Sequence, residues 1–74
     1  MNRTRNEKIL KRFGKHLEKI RTDKGLSLRK LADIADVDFS QVHRIEKGLT
    51  NPSLTMLLVL AEGLNVSISE LLDF

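Results

Sequence analysis

The spacing of apolar residues along the chain predicts five helices. Ile9, Phe13, Leu17 and Ile20 recur at helical intervals with Leu10 beside them, so one apolar stripe runs along a first helix from about Asn6 to Lys24. Lys8, Lys11, Arg12, Lys15 and Lys19 fall mostly off that stripe, and Gly25 supplies a stop. Ser27 is a good N-cap for a second helix, Leu28 to Ala35, with Leu28, Leu31, Ala32 and Ala35 inward. A third helix starts near Asp38 and ends at Lys47 before Gly48, with Val42 and Ile45 inward. After the loop Leu49-Thr50-Asn51-Pro52, Ser53 caps a fourth helix from Leu54 to about Glu62, closed by Gly63. Ser67 caps a short fifth helix ending near Asp73. No segment alternates as a strand does, so the expected fold is all-α.

The stretch Leu28 to Gly48 carries the most information. Only Asp36 and Val37 separate the second helix from the third, so the two must turn sharply. Asp36 tolerates a left-handed backbone better than most residues other than glycine. Ala32 is small where the helices cross, and Val42 and Ile45 anchor the third helix to the core. This arrangement is a helix-turn-helix over residues 28–47, which holds the third helix proud of the surface for a DNA major groove. Asp38, Phe39, Ser40, His43, Arg44 and Lys47 then face outward.

Composition narrows the picture. A chain of 74 residues leaves room for one small domain, taken here as 1–74, with 41% hydrophobic residues for its core and only 4% aromatic. The absence of cysteine removes disulfides and thiolate zinc sites. The longest apolar run, Met56 to Ala61, is far short of the ~20 residues of a membrane span. The N-terminal residues lack the apolar stretch of a secretory signal, so a cytoplasmic, nucleoid-associated location is expected. Residues 1–30 hold 11 of the 13 basic side chains and only three of the ten acids. This asymmetry fits either a polyanion partner or a solvated lysine-rich helix face. Arg3 and Arg5 form a short basic arm within residues 1–5, either a duplex-following arm or a soluble tail. Nucleophile patterns, glycine-rich phosphate loops and metal constellations are missing, so neither enzymatic activity nor a catalytic residue, cofactor, metal or small-molecule ligand is expected. His16 and His43 have no ligand spacing between them.

The segments LEKIRTDKGLSLRKLA, VHRIEKG and NPSLTMLLVLAEGLNVSISELL resemble, in order and spacing, the Cro/repressor-type (XRE-like) helix-turn-helix domains. These occur in phage repressors, restriction–modification controller proteins and many bacterial regulators, and the resemblance runs from about Phe13 to Leu72. It implies a five-helix fold and a transcriptional regulator binding a two-fold operator in double-stranded DNA as a homodimer. By position it implies base reading by Phe39, Ser40 and Arg44, with His43 beside the groove. Arg44 suits a bidentate contact to guanine, and Phe39 suits a thymine methyl or is a stray exposed aromatic. Arg21 and Glu46 match positions that form a partly buried ion pair, which can also present Arg21 to a phosphate. Backbone contacts are expected from Ser27 and Arg29 at the start of the second helix, where free N–H groups point outward. Lys47, Thr50, Asn51 and Ser53 are expected against the DNA backbone beside the fourth helix; Asp38 is expected to cap the third helix close to the phosphates, with a cytosine amino contact as the minor alternative. Leu28 stands where the family often has Gln, so one common phosphate contact is missing.

The fourth helix is apolar nearly all round, and one stripe suffices for a core. Met56, Val59 and Leu60, with Leu64 and Phe74, are therefore expected to form a dimer interface within residues 53–73 and the terminus, the alternative being apolar residues scattered over the surface, as is normal. A competing reading is an antitoxin-like or bridging protein-interaction module, which the acidic C-terminal half and the acids Asp36 and Asp38 fit.

Overall fold

The computed structural model describes residues 6–74, which form five helices and, among the described residues, no strand. They are α1 (Glu7–Asp23), α2 (Leu28–Ala35), α3 (Phe39–Glu46), α4 (Leu54–Leu64) and α5 (Ile68–Leu71). The basic arm with Arg3 and Arg5 lies outside the described residues. Among the described residues no helix is long and apolar enough to cross a membrane.

Each helix begins on a short polar side chain that accepts a backbone N–H of the first turn. Asn6 accepts from Ile9, Ser27 from Lys30, Asp38 from Ser40, Ser53 from Met56 and Ser67 from Glu70. These caps satisfy donors that the helix itself leaves unpaired. Asp36 closes α2 and Asn65 closes α4, both left-handed with φ of 56° and 57°. Asp and Asn are the residues that tolerate this backbone best after glycine.

Helix α1 packs on α3, α2 on α3 and α4, and α5 on α4 and α1. Leu17, Leu31, Val42, Leu60, Leu64 and Leu71 are fully buried where these helices meet, flanked by Phe13, Ala32, Ile45 and Ala61. Each helix thus contributes at least one side chain whose burial stabilises the fold by roughly 1.5–3 kcal/mol.

Three expectations need correction. Ile9 is exposed, and Leu10 takes the buried place in the first turn of α1. The buried line of α1 is Leu10, Phe13, Gly14, Leu17 and Arg21. Two of its members are not apolar, which shifts the true stripe from the one that apolar spacing suggests. Gly63 does not close the fourth helix but lies inside α4, which continues to Leu64. A Cβ on Gly63 would stand 3.1 Å from the Cβ of Ala35, so this glycine serves the close approach of α4 to α2. The fifth helix also ends at Leu71, earlier than its expected end near Asp73.

Gly14 marks the tightest junction. A Cβ there would meet the carbonyl oxygen of Glu46 and lie 2.6 Å from that of Ile45. The backbone of α1 therefore rests directly on the last turn of α3. Gly14→Ala is expected to destabilise the fold by about 2 kcal/mol, the scale of overpacking in a filled core. Urea unfolding monitored by circular dichroism measures this, and an unchanged midpoint would contradict the close approach.

Candidate nucleic-acid interface

Helix α3 has a buried and an open side. Val42, Ile45 and Glu46 are buried, while Ser40, Gln41, His43, Arg44 and Lys47 are exposed. Ser40, Arg44 and Lys47 recur every three or four residues, so they form one ridge on the side away from the core. Gln41 is a surface residue that sequence reasoning missed. Its position three residues before Arg44 was the available signal, since that spacing makes them neighbours on a helix.

The back of α3 is held by an ion pair. Arg21 Nε donates to Glu46 Oε2 at 2.7 Å and Arg21 Nη2 donates to Glu46 Oε1 at 3.0 Å. Arg21 Nη1 donates to the carbonyl of Leu26 at 2.8 Å, just before α2. One guanidinium thus ties α1, the turn leading into α2, and the end of α3. Arg21 and Glu46 are 8% and 6% exposed, so the pair is shielded from solvent. The hydrogen bond to Glu46 is the main cause raising the Arg21 pKa above its ordinary value, against the opposing effect of burial. A base whose pKa is raised by folding contributes its full stabilisation below its unfolded value and loses it as pH rises through the folded one. The contribution is therefore complete at neutral pH and fades only in strong alkali. All three nitrogens of this largely buried guanidinium are engaged within the fold.

The other expected backbone contacts separate by position. Ser27, Asp38 and Ser53 direct a side-chain oxygen to their own helix starts. Asp38 and Asp36, the two acids beside the outward face, therefore hold backbone geometry, one as a cap and one as a left-handed residue. Thr50, Asn51 and Ser53 line a cleft with Gln41 and Arg44, between α3 and the start of α4. Arg29 is exposed, and its guanidinium lies over the Phe39 ring, 4.6 Å from the centroid.

The expected dimer residues are corrected in part. Leu60 and Leu64 are fully buried core residues and cannot present an outer face. Met56 is half-buried beside Arg44 and Ile45, and Val59 is half-buried beside Ile34 and Ala35. Phe74 is partly exposed and packs edge-on against Phe13, with ring centroids 5.5 Å apart. The inward side of α4 is Leu60, Ala61 and Leu64, with Met56 and Leu57 partly buried against the core. At 100° per residue, Leu54 and Leu58 then fall on the flank opposite Met56 and Val59. They are 68% and 49% exposed. Next to that flank Ile9, Leu57, Leu72 and Phe74 line a shallow apolar groove between α1, α4 and α5.

This arrangement of helices, with two joined by a sharp turn and the second of them offered outward, defines a class. The chain belongs to the helix-turn-helix family, of the Cro/repressor (XRE-like) type, and the family profile matches residues 17–71. It is similar to the HTH-type transcriptional regulator SinR of Bacillus subtilis, 41% identical over 62 residues, covering 82% of this chain and 56% of that protein. The chain spans between 19% and 56% of the length of the curated relatives it matches. Among solved structures it resembles the restriction–modification controller protein C.AhdI from Aeromonas hydrophila, with TM-score 0.82 and 39% identity. That match covers 89% of this chain and 98% of the other. The clp gene regulator ClgR from C. glutamicum matches with TM-score 0.80 and 28% identity, over 86% of this chain and 83% of that one.

Removing Glu46 would leave the Arg21 charge shielded, with only the half-exposed Glu18 carboxylate near it at 4.0 Å. Glu46→Ala is expected to cost about 3 kcal/mol, at the lower end for breaking a buried pair because Arg21 keeps its bond to Leu26. Thermal unfolding at neutral pH checks this, and a loss below about 1 kcal/mol would mean that the pair behaves as an exposed one.

Proposed function

We propose that this chain is a sequence-specific DNA-binding transcriptional regulator, acting on the nucleoid in the cytoplasm. It binds a two-fold operator as a homodimer, with α3 in the major groove. The observation that carries this reading is the two-sided character of α3. Its inner side is buried to Val42 and Ile45 and locked through Glu46, while Ser40, Arg44 and Lys47 stand open along one ridge. A helix fixed at its back and polar along its front suits the docking of a helix-turn-helix in a groove. The names of its relatives as transcriptional regulators support the same assignment.

In this reading Arg44 makes the main base contact, bidentate to guanine, with Ser40, Phe39, His43 and the added Gln41 around it. Lys47, Thr50, Asn51 and Ser53 approach the phosphates next to the cleft between α3 and α4. The homodimer forms through the flank of Leu54 and Leu58 and the adjoining groove of Ile9, Leu57, Leu72 and Phe74. These residues take the place of the buried Leu60 and Leu64 and of the half-buried Met56 and Val59, while Phe74 stays. Burying this apolar surface between two protomers removes it from water, and sets the two copies of α3 ~34 Å apart for successive major grooves.

One round of selection from a random duplex library at moderate salt tests the reading. An enriched inverted repeat is the expected result. Recovery without enrichment would leave only nonspecific binding, and a salt-insensitive protein partner would favour the interaction-module reading instead. On the selected duplex, Arg44→Ala is expected to weaken specific binding by about 1–3 kcal/mol and leave nonspecific binding nearly unchanged. Equal loss on both would make Arg44 a phosphate contact. Leu58→Glu is expected to shift the chain from dimer to monomer in sedimentation, with α-helical content retained.

A further inference from the structure

Arg29, Phe39 and His43 form a contiguous group where α2 meets the start of α3. The Arg29 guanidinium sits 4.6 Å from the Phe39 centroid, well within cation–π range. The Phe39 and His43 rings are parallel to within 4°, with centroids 6.4 Å apart, an offset stack one turn apart on α3. Phe39 is the first residue of α3 and remains 37% exposed. The ring is therefore held in place by contacts from two helices while part of it stays open.

An exposed phenylalanine with no partner would be free to turn, and would give no defined contact. Held by Arg29 and His43, it offers an apolar surface of fixed position at the end of the helix that enters the groove. Base pairs present polar edges in the major groove, with one apolar group, the C5-methyl of thymine. We infer that Arg29, Phe39 and His43 form a reader of the pyrimidine C5-methyl group, in which Phe39 makes the contact and Arg29 is its positioning residue. Arg29 is thereby assigned to the ring and not to a phosphate. Lysine cannot replace it fully, because a compact ammonium lacks the planar face that stacks on an aromatic ring.

This inference rests on the regulator reading above, and one substitution in the DNA separates the two. Deoxyuridine differs from thymidine only by the missing methyl. Each thymine of the selected operator is replaced in turn by deoxyuridine, and affinity is measured by fluorescence anisotropy. At one thymine per half-site the replacement is expected to weaken binding about fourfold, the effect of one buried methyl. The difference is expected to vanish in Phe39→Ala, and to fall below about twofold in Arg29→Ala and partly in Arg29→Lys. The salt slope of Arg29→Ala is expected to match that of the unaltered chain, whereas loss of a phosphate contact would reduce it by about 0.9. An operator with no sensitive thymine, or a sensitivity that survives Phe39→Ala, overturns the inference alone. Full sensitivity in Arg29→Ala with a reduced slope overturns the positioning role and makes Arg29 a phosphate contact. A library round with no enriched operator overturns the regulator reading and this inference with it.

Discussion

The outward position of α3 depends on a junction at its back, where Arg21 of α1 grips Glu46. The same guanidinium also holds the Leu26 carbonyl, so three parts of the helix-turn-helix frame share one planar group. A buried ion pair contributes little net stability, because desolvation offsets most of its attraction. Its value here is directional: two parallel hydrogen bonds accept one geometry, which fixes where α3 ends relative to α1. Gly14 completes the junction by letting the backbone of α1 touch the last turn of α3. Apolar packing by Val42 and Ile45 holds α3 down, and the ion pair with the glycine contact sets its angle.

With its back fixed, α3 leaves a polar front whose apparent contradictions have local causes. Asp36 and Asp38 bring negative charge to a surface proposed to meet phosphates. Asp36 supplies a left-handed residue in a turn too short for an alternative, and Asp38 caps α3. Their carboxylates are a consequence of building the motif. Arg29 shows the reverse case, a charged side chain at a helix start whose contact is an aromatic ring of the next helix. Local chemistry on the chain explains the acids, and only the meeting of two helices explains the arginine.

The same division runs through α4. Its sequence is apolar on nearly every side, so periodicity alone could not say which stripe enters the core. Contact with α2 through Gly63 and Ala35 settles the rotation of the helix. Leu60, Ala61 and Leu64 then face inward, and Leu54 and Leu58 are left outside. The sequence signalled a surplus apolar face, and tertiary packing moved it from the Met56 side to the opposite flank.

Helix number, starts and turns were legible in the sequence because they rest on interactions between residues a few positions apart. Asn6, Ser27, Asp38, Ser53 and Ser67 cap helices by reaching three residues ahead or fewer, and Asp36 bends the chain within its own backbone. The outward placement of Ser40 and Arg44 followed from Val42 and Ile45 by helical spacing alone. The buried stripe of α1, the rotation of α4 and the partner of Arg29 were not legible in this way. Each depends on which side chain or backbone a distant segment brings within contact. Glycine and arginine carry no apolar signal, yet Gly14 and Arg21 occupy buried places because α3 lies against them. Short-range hydrogen bonding is written residue by residue, whereas close packing is decided jointly by surfaces that meet only when the chain has folded.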